Sequence, residues 1–217
     1  MALHGYDLPD RRRAEDYRLR AWWRPRDRHH LSIELHYVGI EDAEHLIYAG
    51  GPFGVQWSLE LPRLAGLLWA SDVSARLPVG DGAFHPVSAK ASSFEWNLRA
   101  GVATDTGRLW GSWWVRRVSQ PTDRVEPQSY FPSGSGATVY GSFDLGGTVV
   151  YALARQDSGG ASSVLWLGAG LDFRLSDELT LGAGFSGQPP GEAADERLFD
   201  RGWALSIRWN PAPLQAE

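Results

Sequence analysis

Apolar and polar residues alternate one by one along most of this chain, and a period of two leaves β-strands as the regular structure able to separate them. Leu31, Ile33, Leu35 and Tyr37 alternate with Ser32, Glu34, His36 and Val38. Phe53, Val55, Trp57, Leu59 and Leu61 alternate with Gly54, Gln56, Ser58 and Glu60, and Phe94, Trp96, Leu98, Ala100 and Val102 with Glu95, Asn97, Arg99 and Gly101. Leu165 to Arg174 and Trp203 to Trp209 repeat the pattern near the end of the chain. Clusters of Gly, Pro, Asp and Ser interrupt the runs where turns are needed. No 3.6-residue periodicity is sustained, so the fold class is all-β.

The alternation places strands at roughly 17–24, 31–38, 44–49, 53–62, 67–78, 93–103, 108–118, 137–145, 148–156, 163–175, 179–187 and 201–210. From the fourth strand onward short connections (63–66, 104–107, 146–147, 176–178) alternate with longer ones (79–92, 119–136, 157–162, 188–200). In an up-and-down meander every second connection lies at the same end, so the tight turns collect at one rim and the loops at the other. Outer-membrane barrels have that asymmetry. The expectation is a closed antiparallel transmembrane barrel of about twelve strands. It spans 17–210, after a polar N-terminal segment (1–16) and before a C-terminal tail (211–217).

Which face meets water decides between two barrels. A lipocalin-like carrier turns its apolar face inward around a ligand; a membrane barrel turns it outward. Here the polar face is mostly Gly, Ser, Ala and Asn with scattered charges, which suits a narrow aqueous interior better than a solvated exterior. The apolar face is bulky and carries Trp23, Trp57, Trp69, Trp96, Trp113, Trp203 and Trp209, as a lipid-facing aromatic girdle would. Parity sends Arg18, Arg20, Glu34, His36, Glu60, Asp72, Arg76, Glu95, Arg99, Arg116, Asp144, Asp172, Arg174 and Arg208 to the polar face as lumen-lining candidates.

The stretch LGAGLDFRLSDELTLGAGFSG, Leu167 to Gly187, resembles the strand–turn–strand hairpins of bacterial outer-membrane barrels. FGVQWSLELP and ARLPVGDG are similar to segments of the meta-pathway phenol-degradation outer-membrane family. The resemblance implies a Gram-negative outer membrane and solute passage, and transfers no catalytic or binding residue.

Composition removes other functions. A net charge of -5 gives no broad positive field for a phosphate backbone, so nucleic acid is not an expected partner. The absence of cysteine removes thiol nucleophiles and cysteine-bound metals. His29, His30, His36, His45 and His85 lack the companions of a GxSxG elbow or an HExxH helix, and no element carries three metal ligands at a working spacing. The glycine pairs Gly50-Gly51, Gly146-Gly147 and Gly159-Gly160 read as turns, since no helix follows them to cradle phosphate. The expectation is no enzyme, metal or cofactor, with a lipid bilayer and small polar solutes as partners. A lipocalin-like binder of an apolar ligand is the alternative, and a membrane-embedded lipid hydrolase a more distant one. Met1 to Glu15 holds Arg11, Arg12 and Arg13 and no apolar run, so either the chain is soluble or an export signal has been removed.

Overall fold

The computed structural model describes residues 1–7, 13–42, 45–78, 92–119, 133–159, 162–187 and 201–210. They form twelve strands: β1 Ala2–Asp7, β2 Arg13–Arg26, β3 His29–Asp42, β4 His45–Leu64, β5 Leu67–Leu77, β6 Ser93–Ala103, β7 Gly107–Val118, β8 Gly134–Asp144, β9 Thr148–Gly159, β10 Ser162–Arg174, β11 Leu179–Gly187 and β12 Arg201–Trp209. Each pairs antiparallel with its sequence neighbours, and β1 pairs with β12 to close the barrel. Closure leaves no open edge to seek a partner. The seam is tied at the chain start, where the Met1 ammonium donates to the Ile207 carbonyl at 2.9 Å and the Ile207 amide donates back to Met1 at 2.8 Å.

The twelve strands are not quite the twelve of the alternation. Within segment 1–16, Ala2–Asp7 is a strand of the wall and β2 begins at Arg13. A six-residue run with Gly5 at its centre shows no clear period, yet Gly5 is where the Trp203 ring of the facing strand lies, in the space a side chain would fill. Conversely, the two strands expected at 44–49 and 53–62 give way to one, His45–Leu64. Gly50-Gly51 does not turn the chain; the β3–β4 register slips between Leu35 and Tyr37, and β4 carries the extra residue there. Pro52, which has no amide to contribute to a ladder, falls in this bulge. Gly51 is buried because a Cβ there would stand 2.7 Å from His36 Cβ and Val38 Cγ2. The tail 211–217 and the second half of the Gly159-Gly160 pair lie outside the described residues.

Rim asymmetry follows from the strand bounds. Five connections at one end are tight, and the three longest intervals, 78–92, 119–133 and 188–200, leave from the other end. Gly146 and Gly147 are a turn as expected: both take positive φ (77° and 104°), which glycine adopts without steric cost, and Asp144 Oδ1 accepts both of their amides.

The wall is inverted relative to a soluble barrel. Leu19, Leu35, Trp57, Trp113, Val139, Phe143, Leu167, Phe173, Phe185, Leu205 and Ile207 are exposed on the outside. The most buried side chains, Asp16, Ser32, Asp72 and Arg116 beside Ala14, Val38, Ala70 and Trp114, are inside. The apolar face therefore does not enclose a cavity, and the lipocalin arrangement is excluded.

Candidate functional site: the charged interior

Within each strand the charged candidates of the polar face share one parity, and the register keeps them on one inner wall. Their contacts divide that wall into four patches. In the first, Asp16 on β2 accepts from Arg18 Nε at 2.6 Å and faces His36 Nδ1 at 2.9 Å, while His36 Nε2 lies 2.6 Å from Glu34 Oε1. The imidazole is thus spanned by two carboxylates, with its side chain only 5% exposed. Nδ1 is hydrogen-bonded to Asp16, and Nε2 lies against the Glu34 carboxylate.

The second patch crosses β5 to β7. Asp72 accepts from Arg99 Nη2 at 2.8 Å and from the Asn97 amide at 3.3 Å, with Arg99 Nε 2.6 Å from its other oxygen. Glu95 accepts from Arg116, through Nε at 2.8 Å. Two-pronged guanidinium–carboxylate contacts of this kind are the stronger ion pairs. Arg20 instead donates to Ser32 Oγ at 3.0 Å and to Gln56. Arg76 joins Glu34, Asp72 and Glu95 around a cavity of about 120 Å³.

In the third patch the guanidiniums of Arg116 and Arg155 each sit 4.8 Å from the ring of Trp114, an indole only 4% exposed. Asp157 holds Arg155 at 2.6 Å. A ring face is negative, so it stabilises cations that would otherwise repel. The fourth patch is the tight-turn mouth: Asp172 pairs with Arg208, Asp144 faces Arg174 at 3.6 Å, and Glu60 bonds His30 at 2.8 Å.

Alternation missed part of this interior. Asp16 lay in the segment set aside, although continuing the Arg20, Arg18 parity two residues back would have found it. The Arg155–Asp157 pair lies on β9, and Trp110, Trp114, Tyr140 and Tyr151 also point inward. These aromatics do not fill the bore, because each of three lies over a glycine directly across the ladder. Trp110 faces Gly101, Trp114 faces Gly136 and Tyr151 faces Gly170, each ring occupying the space a Cβ would need. Flattened rings leave a cavity of about 560 Å³ between β6 and β12.

On the outside stand Trp23, Trp57, Trp69, Trp96, Trp113, Trp203 and Trp209. They do not share one height: Trp23, Trp69 and Trp209 are close to the tight turns, the others farther along their strands. Four of their indole N–H groups find protein acceptors. Trp57 donates to His29 Nδ1 at 3.2 Å, Trp69 to the Leu64 carbonyl at 3.3 Å, Trp96 to Ser71 at 2.9 Å and Trp209 to Glu178 at 3.3 Å. Among the described residues no group of three His, Asp or Glu side chains could hold a metal ion.

No protein-family model matches the chain, and no curated protein matches it in sequence. The narrower resemblance of FGVQWSLELP and ARLPVGDG to the phenol-degradation family is therefore without support. Solved structures do match in fold. The KdgM porin in complex with disordered oligogalacturonate superposes with a TM-score of 0.66 at 9% identity, covering 97% of this chain and 98% of that one. A second structure of the KdgM porin gives 0.64 at 9% identity, with the same coverage of both chains. Outer membrane phospholipase A from Escherichia coli gives 0.54 at 12% identity, over 96% of this chain and 91% of that one. At these identities the likeness is one of fold: a closed antiparallel barrel of outer-membrane type.

Proposed function

We propose that this chain is a bacterial outer-membrane barrel that passes small polar solutes by diffusion, without catalysis or cofactor. The observation that carries the reading is the inverted wall. Large apolar side chains are exposed outside while carboxylates and guanidiniums pair inside, an arrangement costly in water and required in lipid. Internal acceptors for four of the seven outer indole N–H groups support the same environment, since acyl chains offer them none. The lumen candidates then act as a polar lining whose signs nearly balance, with the outer tryptophans against lipid and headgroups. The KdgM porin, whose structure is recorded with oligogalacturonate, supports passage of polar solutes through a barrel of this architecture.

The likeness to a phospholipase is one of fold alone, and His36 lies between Asp16 and Glu34 while His30 faces Glu60. Reconstitution into a planar bilayer tests the reading. Stepwise conductance that scales with salt concentration is the expected result. A protein that stays monodisperse without detergent overturns the membrane assignment, and insertion without conductance overturns the channel.

A further inference from the structure

We propose that the cavity at the tight-turn mouth is a binding subsite for carboxylates carried on a ring; this rests on the channel reading and names what the channel retains. At about 560 Å³ the cavity falls within the size range of small-molecule sites. Four guanidiniums reach it, and three are committed: Arg99 to Asp72, Arg208 to Asp172 and Arg174, more loosely, to Asp144. Arg108 is different. Among the described residues it has neither an ion-pair nor a hydrogen-bond partner, and it is exposed to the cavity.

Its surroundings specify the rest of the ligand. Arg108 faces Ser142 across the β7–β8 ladder, and the next inward rung along is Trp110 facing Tyr140. A cationic rung with a hydroxyl therefore stands one step, about 7 Å along the strand, from a rung of two rings. Trp110 is pressed back over Gly101, with the Arg99 guanidinium 5.8 Å from its ring centre, so it offers the cavity a flat surface bordered by that cation instead of an edge that would block it. A guanidinium binds a carboxylate by paired N–H donors, and a flat aromatic surface accepts the face of a second ring, aromatic or saturated. Acetate has only the charge and benzyl alcohol only the ring; benzoate and glucuronate have both, and differ in the ring's chemistry.

Equilibrium dialysis of the detergent-solubilised barrel against these four probes, together with current block in the bilayer, tests the proposal. Benzoate, glucuronate or both should bind at least about tenfold more tightly than acetate or benzyl alcohol, and the better of the two identifies the ring class. Arg108→Gln should weaken that binding about tenfold or more, with partial recovery in Arg108→Lys. Tyr140→Leu should erase the margin over acetate while sparing acetate itself. Equal binding of all four probes, or an Arg108→Gln barrel that folds and binds as before, overturns the subsite. Binding by dialysis with no conductance in the unmodified protein overturns the channel and leaves the subsite standing.

Discussion

An arginine moved down the outer wall reads the environment of that wall directly. On β10 the outward residues run from Leu165 to Phe173 with Ala169 between them, exposed and paired across the ladders with Ala152 and Phe185. Eight residues at about 3.4 Å each, on a strand tilted by about 40°, span about 21 Å along the barrel axis, which accounts for most of an apolar band about 25 Å tall. Ala169 thus sits near the midplane. Leu175, 60% exposed in the turn that follows, sits at the rim. Ala169→Arg should cost about 2–4 kcal/mol and Leu175→Arg about 0–1 kcal/mol. The gap of about 1–4 kcal/mol corresponds to about one to three decades in the folding equilibrium, at about 1.4 kcal/mol per tenfold. If the wall faced water instead, an exposed Ala→Arg change would move stability by about 0.5 kcal/mol or less at either height. The assay is reversible guanidinium unfolding in thin phosphatidylcholine vesicles, with the slope checked so that midpoint shifts report stability. Costs agreeing within about 0.5 kcal/mol at the two positions would refute a lipid-facing wall.

The interior yields three further tests. Gly184→Ala would place a Cβ 2.5 Å from Tyr151 Oη but 3.4 Å from the nearest backbone atom, so it should destabilise by about 1–3 kcal/mol alone and by almost nothing in a Tyr151→Phe background, in a double-mutant cycle of denaturant midpoints. Glu95→Gln strips a counter-charge from Arg116, whose side chain is 7% exposed, and should cost about 1–3 kcal/mol; an unchanged midpoint would show that the guanidinium is held without that carboxylate's charge. Asp72→Asn frees Arg99 at the edge of the large cavity and should shift reversal potentials in a salt gradient toward anion selectivity, whereas no shift would place that pair away from the ion path.

Period-two alternation made the barrel legible because a wall with one oily and one wet side must alternate wherever it is regular. Reading failed where regularity is interrupted. At Gly5 an outer side chain is replaced by a neighbour's ring, so the strand carries no period of its own. At the Gly51-Pro52 bulge the parity shifts by one residue, and the same letters that mark a turn elsewhere mark an offset within a continuous strand. Interior charges on long strands were legible by parity alone. Asp16 was not, because it lies beyond the assigned start of its strand, and the inward Trp114 was not, because an indole on a polar face means little until Gly136 is seen across the ladder. Pairing is a long-range property, and one sequence does not show which glycine meets which ring.

The ring-over-glycine rungs separate the calibre of the conduit from its scaffold. Exchanging a rung's two members, or shrinking the ring, would reshape the passage locally while strand number, tilt and closure stay as they are. One or two substitutions at a rung therefore remodel the interior with the architecture inherited intact.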